Sequence, residues 1–132
     1  ETFLLTATIE AIVAQRLVRR ICVKCKEEYK PTEEQLMELQ LRSADIEGRT
    51  FFRGRGCEAC NHSGYRGRRA IFEIMKLDDT IRELIMAEAS TNVLREEAKK
   101  RGMRTLRESG LLTIFEGQST IDEVVRETIM DE

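Results

Sequence analysis

Two short cysteine motifs constrain this chain more than any other feature. The first is Cys22-Val23-Lys24-Cys25 and the second is Cys57-Glu58-Ala59-Cys60; together they contain all four cysteines of the 132-residue chain. Two intervening residues let both sulfurs of such a motif, here called a knuckle, reach one ion from a tight turn. Two knuckles of equal spacing predict a closed structural Zn²⁺ site with four ligands: Cys22, Cys25, Cys57 and Cys60.

Disulfides or a thioredoxin-like redox pair are the alternatives to a metal site. Neither explains why both pairs have the same spacing. His62 follows the second knuckle. With four cysteines already present, we expect it to be a polar loop residue and not a ligand.

The start of the chain and its hydropathy predict the cellular location of the protein. The opening Glu1-Thr2-Phe3-Leu4-Leu5 lacks the basic start of a signal peptide, and no apolar run has the length of a membrane span. We therefore expect a cytoplasmic protein without membrane insertion. Because the chain does not begin with Met, we also expect it to be a piece of a longer protein.

Positive charge is concentrated around the knuckles. Residues 16–30 and 53–69 hold eleven basic and three acidic residues, a formal charge of +8, so the remainder carries −10 to give the net −2. This basic flank has two interpretations that the sequence leaves open. It could favour thiolate formation at the cysteines, or it could form an interface.

The apolar pattern predicts mostly helices. Apolar residues recur every fourth position through 5–21 and predict an amphipathic helix that enters the first knuckle: Leu5, Ile9, Val13, Leu17 and Ile21. A capping box at Thr32 predicts a short helix ending near Ser43. Strands are expected at 50–52 and 70–75, paired with each other.

Four helices are predicted in residues 78–132. Their capping residues are Asp78 or Asp79, Ser90 or Thr91, Thr105 and Thr120, and the apolar face of the last helix runs from Ile121 to Ile129. The predicted fold class is α+β and predominantly helical. It comprises a tetracysteine zinc-binding subdomain with a short two-stranded sheet, followed by a C-terminal helical cluster.

No complete active site is expected in these residues. The chain contains no GxxxxGK[ST] phosphate loop and no HExxH motif, and it has one histidine. A closed four-cysteine metal shell leaves no open catalytic position.

The order of several motifs resembles the secretion ATPase superfamily, and within it the C-terminal part of the extension ATPases of type IV pilus assembly. The resemblance covers essentially the whole chain. It rests on AQRLVR at 14–19, the two knuckles, GYRGR at 64–68, IFE at 71–73, GMRTL at 102–106 and TIDEVVR at 120–126. Type II secretion ATPases are the close relatives, whereas the retraction motors of the superfamily lack the tetracysteine insertion.

The resemblance implies a homo-hexameric cytoplasmic ATPase that is associated peripherally with the inner membrane through a platform protein. ATP and Mg²⁺ would bind residues upstream of this stretch, which alone would not hydrolyse ATP. Residues 1–21 would be the last helix of a RecA-like core, 22–69 the tetracysteine metal-binding subdomain, and 70–132 a C-terminal strand and helical subdomain.

Arg66 and Arg68 are predicted interface residues. A planar guanidinium pairs well with a carboxylate, and the acidic remainder of the chain suggests a neighbouring subunit as the partner. Two alternative functions stay open. One is the same region of a type II secretion ATPase, and the other is a zinc-ribbon nucleic-acid-binding module, although the net negative charge argues against nucleic acid.

Overall fold

The computed structural model describes residues 8–128. Four strands and four longer helices follow one another, with a short helix among the strands. The strands are β1 (Ala11–Ile21), β2 (Lys26–Tyr29), β3 (Phe51–Gly54) and β4 (Tyr65–Lys76). The helices are α1 (Glu33–Glu38), α2 (Asp79–Met86), α3 (Thr91–Lys100), α4 (Leu106–Phe115) and α5 (Ile121–Thr128). Two 3₁₀ turns, Ser43–Ile46 and Glu58–Cys60, lie between strands.

The helix predicted through 5–21 is wrong in its described part, because residues 11–21 form the strand β1. A spacing of four residues fits one turn of a helix, but it is also two repeats of a strand. Of the residues in the predicted pattern, Ile21 is buried, whereas Val13 and Leu17 are exposed. Pairing with β4 provides the hydrogen bonds that decide between the two periods. Leu5 lies outside the described residues.

Two separate two-stranded sheets replace the single predicted one. β1 pairs with β4, and β2 pairs antiparallel with β3, with Tyr29 opposite Phe51 and Lys26 opposite Gly54. The predicted pairing of the Phe51 strand with residues 70–75 is therefore wrong. The chain is α+β as predicted, but "predominantly helical" overstates its helix content because of β1 and the length of β4.

The chain forms two compact units. Within the described part, one comprises residues 8–15 and 72–105, and the other comprises 16–71 and 106–128. The four terminal helices are present as predicted, and α2 and α3 belong to the first unit and α4 and α5 to the second. Ile129, predicted for the last helix, lies outside the described residues.

The first unit is built around the packing of α2 against α3. Leu77, Ile81 and Ala98 form its buried cluster, with Leu94 and Met103 packed against them. Both helices begin at the predicted caps. The Asp78 side chain accepts a hydrogen bond from Ile81 N at 2.9 Å, and that of Ser90 accepts one from Val93 N at 3.2 Å.

The second unit holds both knuckles and packs α4 against α5. A Cβ at Gly110 would lie 2.5 Å from Val124 Cγ1, so the two helices approach as closely as glycine allows. Its short helix begins at the predicted capping box of Thr32, with reciprocal bonds to Gln35 at 3.1 and 3.0 Å. That helix ends at Glu38, and a 3₁₀ turn begins at the predicted end near Ser43. No helix in residues 8–128 is long and apolar enough to cross a bilayer.

Candidate metal centre

The β2–β3 pairing brings the two knuckles together. The first knuckle is the turn between β1 and β2, and the second follows β3, so the pairing of Lys26 with Gly54 sets Cys25 beside the approach to Cys57. Arg55 N donates to Cys25 O at 3.1 Å, continuing the contact beyond the sheet. A small antiparallel sheet thereby joins cysteines that are more than thirty residues apart in sequence.

A close backbone contact between Gly54 and Gly64 closes the loop that carries the second knuckle. Gly54 and Gly64 approach so closely that a Cβ on Gly64 would lie 2.6 Å from Gly54 O, and a Cβ on Gly54 would overlap Gly64 O. Gly64 O also accepts a hydrogen bond from Cys22 N at 3.0 Å, which links the loop after the second knuckle to the first. Neither glycine position has room for a side chain.

The four sulfurs form one compact cluster. The Sγ–Sγ distances are 3.8 Å for Cys22–Cys57, 3.8 Å for Cys57–Cys60 and 3.9 Å for Cys25–Cys60. All four sulfurs lie within 4.8 Å of one another. Four sulfurs placed tetrahedrally at about 2.3 Å from a zinc ion lie about 3.8 Å apart. The cluster therefore has the size of a tetrathiolate metal shell, and its sulfurs are too far apart for disulfides.

Backbone N–H groups point at the sulfurs. Gly56 N donates to Cys25 Sγ at 3.2 Å, while Cys57 N and Gly64 N donate to Cys60 Sγ at 3.3 and 3.2 Å. Such donors stabilise thiolates and are the usual second layer around cysteine-bound metals. Two of these donors are glycines, Gly56 and Gly64, a role that the sequence motifs did not predict. Their positions, one before the second knuckle and four after its last cysteine, were the available signal.

The thiol environments differ. Burial raises the pKa of the Cys25 thiol to about 11, although the hydrogen bond from the Gly56 N–H acts to lower it. Burial also opposes ionisation of Cys60, but the N–H groups of Cys57 and Gly64 outweigh it and lower the pKa of Cys60 to about 6. One sulfur is thus prepared as a thiolate, and the charge of a bound cation would favour ionisation of the others.

His62 is not part of the cluster. It is exposed, has a left-handed backbone conformation with φ 63°, and its N–H donates to Cys57 O at 2.7 Å. Among the described residues, the group that could hold a metal contains the four cysteines alone. His62 is therefore a loop residue of the knuckle, as predicted.

The basic flank is used in several different ways. Arg53 pairs with Glu27 at 3.1 Å, and Lys26 Nζ lies 4.5 Å from the centre of the Phe52 ring. Arg66 and Arg68 are exposed on β4. The nitrogen donors to the sulfurs within residues 8–128 are backbone N–H groups, which weakens the interpretation that the arginines serve the thiolates directly.

A partly buried ion pair anchors β1 to α5 next to the first knuckle. Glu123 accepts hydrogen bonds from Arg19 N at 2.9 Å, Nε at 3.1 Å and Nη2 at 2.9 Å. Arg19 also lies 4.0 Å from the centre of the Tyr65 ring, and the Tyr65 hydroxyl bonds Thr120 Oγ1 at 2.7 Å. Thr120 caps α5 as predicted, by accepting from Glu123 N at 3.1 Å. The pairing of Glu123 with Arg19 had no local sequence signal.

The fold and the cluster define an α+β chain with two cysteine knuckles whose four sulfurs are positioned to hold a metal ion. Comparison with known proteins then gives its family: the chain belongs to the type II/IV secretion system protein family, which matches residues 1–126. The resemblance seen in the sequence motifs is confirmed.

Individual relatives span both branches of the family. The chain is 44% identical to the type IV pilus assembly ATPase PilB of Thermus thermophilus over 98% of its own length and 14% of that protein. It is 42% identical to PilB of Myxococcus xanthus, over 99% of the chain and 23% of the relative. It is 40% identical to the type II secretion system protein E of Dickeya dadantii, over 97% of the chain and 25% of that relative. The chain therefore spans a quarter or less of the length of these relatives.

Proposed function

We propose that this chain is a non-catalytic, zinc-containing region of a motor ATPase that powers type IV pilus assembly. The observation that carries the proposal is a four-cysteine cluster in a chain that is 44% identical, over 98% of its length, to a protein named as a pilus assembly ATPase. The metal holds the two knuckles together, and the free energy of metal binding becomes folding free energy for this part of the chain.

Zinc is the metal favoured by this ligand set. Four cysteine thiolates whose sulfurs lie 3.8–3.9 Å apart suit tetrahedral Zn²⁺. A zinc ion with four cysteine ligands has no open position for a substrate. The site is accordingly structural, with Cys22, Cys25, Cys57 and Cys60 as its ligands. ATP and Mg²⁺ bind elsewhere in the parent protein, upstream of this stretch.

The rest of the proposal follows the family resemblance. The parent protein is a cytoplasmic homo-hexamer that associates with the inner membrane through a platform protein. Residues 1–21 end the RecA-like core, although residues 11–21 are a strand. Residues 22–69 are the metal-binding subdomain, and 70–132 are the C-terminal subdomain. Arg66 and Arg68 contact a neighbouring subunit.

The same region of a type II secretion ATPase is the second candidate. It is favoured by 40% identity to the secretion protein E of Dickeya dadantii, which differs little from the identities to the pilus proteins. A nucleic-acid-binding role is a weaker third candidate, motivated by the +8 around the knuckles. It requires binding to DNA or RNA that weakens steeply as salt is raised.

A cysteine variant of the parent protein tests the proposal. Cys57 is the least buried of the four ligands, so Cys57→Ser is the mildest way to open the shell. Val23→Ser is the matched control, because Val23 lies inside a knuckle, is exposed and provides no sulfur. Both variants would be introduced on the chromosome of the organism that encodes the chain.

The expected results separate the candidates. Wild type and Val23→Ser contain about one zinc per chain, whereas Cys57→Ser loses zinc, and surface pili disappear while type II secretion continues. Loss of secretion with intact pili would favour the second candidate. A reduced, freshly purified wild-type protein without zinc would contradict the metal assignment, and one without ATPase activity would contradict the motor.

A further inference from the structure

An open cleft of about 510 Å³ lies where β1 and β4 meet the turn after α4. Three arginines line it together with one carboxylate and one amide: Arg20, Arg68, Arg69, Glu116 and Gln118. We call it the arginine cleft. It belongs entirely to the second compact unit.

Only one of the three guanidinium groups is neutralised. Arg69 is paired with the Glu116 carboxylate and donates to Gln118 Oε1 at 2.7 Å. The guanidinium groups of Arg20 and Arg68 have no hydrogen-bond or ion-pair partner within residues 8–128, and both residues are exposed. Other arginines of this part of the chain do find carboxylates, as Arg19 and Arg53 show. Two like charges that line one cleft repel each other, and a bound anionic partner removes that repulsion.

The form of the cleft favours a protein partner. Small-molecule sites enclose most of their ligand and are largely apolar, whereas this cleft is open and lined by charged and amide groups. Guanidinium groups that lack carboxylates on their own surface suit bidentate pairing with carboxylates of another surface.

Helix α1 presents such carboxylates in the same unit. Glu33, Glu34 and Glu38 are exposed, and none has an ion-pair partner within the described residues. Met37, whose side chain is 74% exposed, lies among them. These four residues share the face opposite the buried Leu36 and Leu39. We call this surface the acidic face of α1.

We propose that the arginine cleft of one copy of this chain binds the acidic face of α1 of the next copy. Glu34 and Glu38 are one helical turn apart, with Cβ atoms about 6 Å from each other. Arg20 on β1 and Arg68 on β4 line the same cleft on paired strands, so each can take one of the two carboxylates. The two surfaces differ, so the contact is head-to-tail and repeats from copy to copy.

This inference rests on the proposed function, in which the parent protein assembles, and extends it by naming both surfaces of one contact. Arg68 was a predicted interface residue, and the cleft adds Arg20 as its companion. Arg66, the other predicted interface residue, does not line the cleft.

A charge-swap series in the parent protein tests the contact. One variant is Arg20→Glu with Arg68→Glu, the second is Glu34→Arg with Glu38→Arg, and the third combines all four changes. The control is Lys100→Glu with Arg104→Glu, which makes the same charge change at exposed residues of the other unit. Association is measured by sedimentation across a concentration series, and zinc content verifies that the knuckles are folded.

The cleft variant and the helix variant should each weaken association by about tenfold or more. The variant with all four changes should recover to within about threefold of wild type. The control should assemble like wild type. The proposal would be overturned if the variant with all four changes associated no better than the two-residue variants. It would also be overturned if neither the cleft variant nor the helix variant weakened association. If Arg20→Glu with Arg68→Glu also loses zinc, the neutral variant Arg20→Gln with Arg68→Gln is measured instead. Full assembly of that neutral variant would equally overturn the proposed contact. Intact zinc and ATPase activity with no rescue would refute this inference alone and leave the proposed function standing.

Discussion

The Arg19–Glu123 pair allows a prediction whose size can be worked out from the structure. The Glu123 side chain is 2% exposed, and its carboxylate accepts three hydrogen bonds from Arg19 and one contact from Arg126 at 3.2 Å. Glu123→Gln preserves the shape but removes the charge and turns one acceptor into a donor that faces an N–H group of Arg19. The variant thus tests the charge and hydrogen bonds with little change in packing.

Hydrogen bonds to charged groups contribute about 1.5–3 kcal/mol each when buried, and removing one partner of a buried pair costs about 3–5 kcal/mol. Arg19 is 41% exposed, so water can solvate it again in the variant and the lower values apply. We expect Glu123→Gln to lower the free energy of unfolding by about 2–3 kcal/mol, measured by urea denaturation with circular dichroism at pH 7.

The pH dependence gives a second measurement of the same pair. Burial opposes ionisation of Glu123, but Arg19 outweighs it and lowers the pKa of the carboxyl below its usual value. A depressed folded-state pKa adds stability above the unfolded-state value of about 4.3, and that stability is lost as pH falls through the folded pKa. The difference between wild type and Glu123→Gln should therefore shrink below pH 4. A difference under about 0.5 kcal/mol at pH 7, or one that does not change with pH, would refute the reasoning.

Two further predictions concern the knuckles and the helix caps. Gly54→Ala should abolish zinc binding, because its Cβ overlaps Gly64 O, whereas Gly48→Ala should bind zinc normally, since it meets open space and costs only about 1 kcal/mol for its positive φ; equal zinc contents by elemental analysis would show that the backbone contact is dispensable. Ser90→Ala should cost about 1 kcal/mol for a lost cap, and Thr120→Ala about 2 kcal/mol, because the hydroxyl of Tyr65 also loses its partner. Equal losses for both in denaturant unfolding would mean that the buried hydroxyl pair adds nothing.

Local chemistry alone determined several parts of this protein. A two-residue gap between cysteines makes a knuckle in almost any surrounding fold, so the four sulfurs could be grouped from the sequence. The starts of helices could be predicted for the same reason. A side-chain oxygen at Thr32, Asp78 or Ser90 satisfies N–H groups two or three residues ahead, and that interaction needs no distant partner.

Tertiary structure decided what depends on residues far apart in the chain. Whether the apolar residues at 13, 17 and 21 form a strand or a helix depends on β4, more than forty residues later, because a spacing of four fits both periods. The same holds for the choice of β2 as the partner of β3, which brings the knuckles together. The ion pair of Arg19 with Glu123 joins residues 104 positions apart. Local propensity carries no information about such contacts, because their free energy exists only once the chain has folded around them.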